Sequence, residues 1–247
     1  NVTPFDLASA YPAILVREFF PMTSFVDVDP EYITEERLGE MAFMLDVTLE
    51  DAECNYAFGA ISKSKTLELS SDAVIDNGRI HSASLIRLQV TDVEFATIRR
   101  NYSIGGVVIN QAKAAAYDRL PQPIVKTILE LYRDKTVLKG VAGSETEYAA
   151  AKEDINSVYG MTATDPVKEQ FDHVGGGNLE LAPIDLDAEV QAHNRSRSRA
   201  LFYPWGAWVT SYTRATLLGA VMDLADAGVD VLYTDTDSIY SVDHPAI

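Results

Sequence analysis

Sulfur, histidine and positive charge are all scarce in this sequence. Its 247 residues include a single cysteine, Cys54, so no disulfide can close within the chain, and a lone thiol fits a reducing, cytoplasmic compartment. The four histidines, His81, His173, His193 and His244, are scattered without ligand spacing, which argues against a zinc site. No apolar run approaches the roughly 20 residues that span a bilayer, so no transmembrane helix is predicted. There is neither a signal peptide nor an initiator Met, and Asn1 reads as the cut edge of something longer.

The shortage of cations has the largest consequence. Lys and Arg number 20 against 37 Asp and Glu, a formal charge of −17 with a pI near 4.5. Such a surface repels nucleic acid over most of its area, so any polynucleotide contact must rest on local basic groups. Candidates are Lys63 with Lys65, Arg133 with Lys135 and Lys139, and the arginine run from Arg195 to Arg199, whereas Arg99 and Arg100 read as solvated surface. The rest of the composition, 47% apolar and 23% charged, suits a folded core in one large domain or two small ones.

Local patterns outline the elements. Val2 to Leu7 reads as a strand that turns at Pro12, and Met41 to Leu69 as strands interrupted by a loop at "DAECN". Thr91 and Glu94 stand at capping-box spacing, so a helix is predicted from about Asp92. Pro123 and Gly140 bracket a helix whose apolar positions follow a 3.6-residue period. A second capping box, Ser144 with Glu147, opens another helix that ends at Gly160, and the short link predicts an antiparallel pair. Residues 161–203 are polar and loop-like, an inserted hairpin or excursion. A long helix from about Ala207 to Ala227 precedes a strand-turn-strand, "LYTDTDSIYSV".

That last stretch carries the chemistry. On extended backbone Asp235 and Asp237 would point the same way, because the strand period is two. Two such carboxylates repel unless protonated or bridged by a cation. Adding Asp6, at the end of the first predicted strand, makes a hard-oxygen set suited to Mg²⁺. "DVDPEYITEE" from Asp27 lacks the glycine of a calcium loop and reads as a solvated acidic loop. Gly175 to Gly177 do not join a clear strand to a helix, and read as loop rather than a phosphate cradle.

Four motifs now stand in order. "DLASAYP" from Asp6 resembles the first catalytic motif of family B DNA polymerases, with Ala10 where leucine is usual. "KEDINSVYG" from Lys152 resembles the second, with every fixed position kept. "TSYTR" from Thr210 resembles the primer-terminus motif, with Thr213 in place of a smaller residue, and "YTDTDS" from Tyr233 resembles the third catalytic motif. The spacing resembles the phage-type, protein-primed branch, whose two insertions correspond to Phe20–Tyr117 and Met161–Phe202 here.

The resemblance implies an α+β fold: a polymerase palm with an antiparallel sheet carrying the carboxylates, an antiparallel two-helix fingers element, and insertions. The implied division is palm 1–19, palm and first insertion 20–120, fingers 121–160, second insertion 161–203 and palm 204–247. It implies template-directed addition of deoxynucleotides to a primer 3′-hydroxyl, with Asp6, Asp235 and Asp237 catalytic and Asp6 and Asp237 holding two Mg²⁺ ions, replaceable by Mn²⁺. Tyr11, Lys139, Lys152, Asn156 and Tyr159 would bind the nucleotide, with Tyr11 as a steric gate against a 2′-hydroxyl. Tyr148 stands where that branch often has another cation. Thr210 and Arg214 would contact DNA. The implied partners are primer-template DNA, dNTPs, a terminal protein primer, and exonuclease and thumb segments outside this sequence. The implied location is the cytoplasm, that of the host for a virus. The competing readings are a metal-dependent nuclease and a non-catalytic nucleic-acid-binding remnant.

Overall fold

The computed structural model describes residues 2–34, 36–163, 165, 167, 170–173, 177–196 and 202–242. The strands are β1 (Val2–Asp6), β2 (Phe20–Pro21), β3 (Val26–Val28), β4 (Met41–Cys54), β5 (Thr66–Leu69), β6 (Val74–Asp76), β7 (Arg79–Thr91), β8 (Tyr102–Asp118), β9 (Phe171–His173), β10 (Leu179–Leu181), β11 (Val231–Asp235) and β12 (Ser238–Val242). The helices are α1 (Ala10–Arg17), α2 (Asp92–Asn101), α3 (Gln122–Leu138), α4 (Glu145–Thr162), α5 (Leu186–Arg195) and α6 (Pro204–Asp226).

Two antiparallel sheets organise the chain. The small one has the order β1-β12-β11, so the first and last described strands of the protein are hydrogen-bonded neighbours. The large one runs β2-β8-β4-β7-β5, with β3 on β8 and β6 on β7. Its inner face buries Leu45, Val47, Leu49 and Ile86 against Phe95 and Ile98 of α2. A second core gathers Ile14 and Leu15 of α1, Ile128 of α3, Val158 of α4 and Trp208 of α6. Trp208 is fully buried, and truncating such a side chain to alanine costs about 3–5 kcal/mol.

A polar thread ties these cores together. Trp208 Nε1 donates to Tyr117 Oη at 2.6 Å, and that hydroxyl donates to Asp92 Oδ2 at 2.7 Å. Asp92 also accepts from the Phe43 amide. Helix α6 is thereby pinned to β8 and to the start of α2. At its own start, Gly206 allows a close crossing with α4. A Cβ there would lie 2.8 Å from the Thr162 carbonyl oxygen.

Several local expectations hold, among them the capping box of Thr91 and Glu94, with both of its hydrogen bonds made. Others are corrected. Pro12 does not turn the chain but sits in the first turn of α1, where its missing N–H has no partner to lose. "DAECN" is not a loop through Cys54: β4 runs on, accommodating the irregularity with Asp51 at φ 48°. Ser144 makes no side-chain cap to its helix and donates instead to the Val141 carbonyl at 2.8 Å. Helix α4 continues past Gly160 to Thr162, because one glycine lowers helix propensity without breaking the hydrogen-bond ladder. Within 161–203, expected as loop-like with a hairpin or excursion, β9 pairs with β10, but Leu186–Arg195 is the helix α5, capped by the Asp185 side chain, rather than loop. Gly175, Gly176, Arg197, Arg199 and His244 lie outside the described residues.

Candidate active site

Ser238, on the central strand of the small sheet, pairs with Asp6 on one side and with Asp235 on the other. The Leu7 amide donates to the Asp237 carbonyl at 2.8 Å, locking the β1 end to the hairpin turn. All three carboxylates therefore stand at one end of this sheet. Of the two hairpin aspartates only Asp235 is on extended backbone, so the condition for a same-side pair is not met at Asp237. That residue occupies the two-residue turn with Thr236, whose φ is 35°. A left-handed non-glycine residue is uncommon, and Ser9, beside the other aspartate strand, is a second at φ 52°. Such conformations persist where surrounding contacts impose them, and they cluster at functional sites.

Electrostatics register this crowding. Burial first, then the Asp6 and Asp235 charges, raise the Asp237 carboxyl above its ordinary range. Asp6 and Asp237 border a cavity of about 380 Å³ between the small sheet and α6. Among the described residues no cluster of three acidic, His or Cys side chains is drawn together as a formed metal centre. The available donors are a pair of hard carboxylates with a third close enough to repel, a set suited to a divalent cation that takes further ligands from phosphate and water.

Tyr11 of α1 stacks on Tyr159 of α4 with ring centroids 4.1 Å apart and planes 19° from parallel. Burial raises the Tyr11 hydroxyl pKa, as does the Asp237 charge, while Arg214 lowers it. The aromatic pair, the carboxylates and α6 thus share one electrostatic neighbourhood. Lys152, Asn156 and Tyr159, four and three residues apart, lie along one stripe of α4. Lys152 and Asn156 are exposed, and so is Lys139 at the end of α3.

Other contacts were not legible in the sequence. Lys135, one turn before Lys139, donates to Ser9 Oγ at 2.6 Å and so reaches the loop between Asp6 and α1. Its place in the basic cluster with Arg133 and Lys139, four residues from the latter, was the available signal. Thr210 turns its hydroxyl back to the Ala207 carbonyl of its own helix. Arg214 pairs with Glu94, a residue that the capping pattern identified only as a helix start.

No protein-family model and no curated protein matches this sequence significantly. Solved structures do match in fold. Phi29 DNA polymerase in an orthorhombic crystal form superposes with a TM-score of 0.70 at 18% identity, over 99% of this chain and 39% of that one. Its complex with primer-template DNA gives 0.69 at 17% identity, and its ternary complex with primer-template DNA and incoming nucleotides 0.69 at 18%; each covers 98% of this chain. The chain spans 38% of the polymerase's length in both complexes. Nearly the whole chain is thus similar in fold to a part of phi29 DNA polymerase.

Proposed function

We propose that this chain is the palm-and-fingers module of a template-directed DNA polymerase, joining deoxynucleotides to a primer 3′-hydroxyl. One observation carries the reading. Asp6 and Asp237, from opposite ends of the sequence, border one cavity in the electrostatic neighbourhood of the Tyr11–Tyr159 stack. Isolated acidic turns have no reason to meet, nor to do so beside an aromatic platform.

Asp6 and Asp237 would hold Mg²⁺, or Mn²⁺ in its place, with Asp235 as the auxiliary carboxylate nearer the primer. Two such ions, when bound, supply charge neutralisation to the attacking and leaving oxygens of an in-line displacement. The chain's own residues do the positioning. Tyr11 lies under the deoxyribose and, backed by Tyr159, fills the space a 2′-hydroxyl would need. Asn156 completes the pocket. Lys152 and Lys139, on the helix pair α3 and α4 acting as fingers, hold the triphosphate. Thr210 and Arg214 hold the primer-template backbone. In priming by a terminal protein, a protein hydroxyl would occupy the position of the DNA 3′-hydroxyl.

The test is primer extension with and without divalent metal, run beside a cleavage assay on the same labelled strand. Metal-dependent extension supports the proposal. Cleavage without extension would assign the site to a nuclease.

A further inference from the structure

A second cavity, of about 180 Å³, opens between α6, α2 and the β5–β7 side of the large sheet. Its walls are partly apolar, with Leu88 and Leu218 among them, yet three cations line it: Lys65, Arg79 and Arg214. Glu94 is the one carboxylate among the described lining residues. The cavity therefore carries a formal +2 in a chain whose total is −17.

Glu94 cannot neutralise this set. Its Oε2 accepts from the Thr91 amide in the α2 capping box. Its Oε1 alone serves both Lys65 Nζ, at 3.1 Å, and Arg214 Nη1. Among the described residues Arg79 donates to a carbonyl here, that of Ala60, at 3.3 Å. Desolvation first, and the neighbouring Arg214 charge second, push its pKa below the ordinary arginine value. Three like charges are held together around one space, with a single carboxylate among the described residues that line it. Ser62, Thr97 and Ser211 add hydroxyls around the same space.

Position supplies the ligand. Arg214 influences Tyr11 and Tyr159 electrostatically, so the cavity adjoins the nucleotide pocket through α6. A strand whose end lies at Asp6 and Asp237 would pass phosphates along this helix. We propose that Lys65, Arg79 and Arg214 form one pocket for a backbone phosphate of the bound polynucleotide, with Glu94 as the resident counter-anion that the phosphate displaces. Lys65 and Arg79, from the region corresponding to the first insertion, thereby join the DNA-contacting surface. This inference rests on the polymerase reading of the adjoining site.

The measurement is fluorescence anisotropy of a labelled primer-template across a salt series, using the whole chain. Lys65→Gln and Arg79→Gln should each flatten the slope of log K against log salt by about 0.9, which is about eightfold in affinity at 0.1 M salt relative to a 1 M reference. Arg79→Lys should restore the slope. Glu94→Gln can keep the helix cap but loses the competing charge, so it should bind more tightly than wild type, a gain that misfolding cannot produce. Unaltered slopes in the Lys65 and Arg79 variants, with wild type binding and extending primers, would reduce the cavity to an internal ion pair and leave the proposed function standing. A wild-type chain that neither binds nor extends primer-template would remove both. Calorimetric titration with inorganic pyrophosphate is the second arm. Loss of that binding in the variants, with DNA slopes unchanged, would overturn the backbone assignment in favour of a free phosphate compound.

Discussion

Asp92 offers a prediction whose size follows from its surroundings. The carboxyl is 5% exposed, and burial drives its pKa from 3.8 to about 6 against the opposing hydrogen bonds from Tyr117 and the Phe43 amide. The folded protein therefore binds this proton more tightly than the unfolded chain does. The contribution to stability is fully present below pH 3.8, falls as the pH rises, and is lost once the pH passes about 6. A gap of that size corresponds to about 3 kcal/mol. Other carboxylates titrate over the same range, so the informative quantity is Asp92→Asn minus wild type. Any fixed packing penalty of the amide cancels when that difference is followed with pH. Between pH 4 and pH 7 the variant should gain about 2.4 kcal/mol on wild type, or about 5–10 °C in melting temperature for a chain of this length. Thermal denaturation followed by circular dichroism at five or so pH values measures it. A difference that stays flat, or that shrinks as pH rises, would show that Asp92 is not held as a neutral acid between β8 and α6.

Three further outcomes test the site and its support. Asp237→Asn and Asp6→Asn should each lower single-nucleotide incorporation by roughly 10³-fold or more, the scale on which charge-stabilising groups act in phosphoryl transfer, and rapid-quench rates near wild type would refute their role. Tyr11→Val should erode discrimination against ribonucleotides by about 10- to 200-fold, read as the ratio of kcat/KM for dNTP and rNTP; an unchanged ratio removes the steric gate. Gly206→Ala should destabilise the fold by about 1–3 kcal/mol in urea titration, because its methyl must push α6 off the end of α4. A neutral result would show that this crossing yields freely.

Much of the local structure was legible from residue chemistry alone. Thr91 with Glu94 announced α2 because a helix start needs acceptors for its free amides, and Pro123 announced α3 because a first turn needs no proline N–H. The carboxylates, the aromatic pair and the basic residues of the helix pair were all identifiable as residues. The errors lay where long-range pairing overrides local preference. Asp51 to Cys54 read as loop, yet β8 and β7 on either side hold that stretch in a strand. The strand-turn-strand around Asp237 was legible, but the residues of its turn were not: the Asp235–Ser238 pairing places Asp237 there.

The sequence by itself settled which groups could do the chemistry, since side-chain type, charge and spacing are properties of the chain. Only the tertiary structure decided which of them meet. Hydrogen bonding of β1 to β12 brings Asp6 to Asp237, and packing of α1 against α4 stacks Tyr11 on Tyr159. The crossing of α6 over α2 gives Glu94 to Arg214 and closes a cationic cavity that no pattern foretold. Contacts between distant segments depend on how apolar faces are buried together, and local spacing along the chain does not encode that partnership.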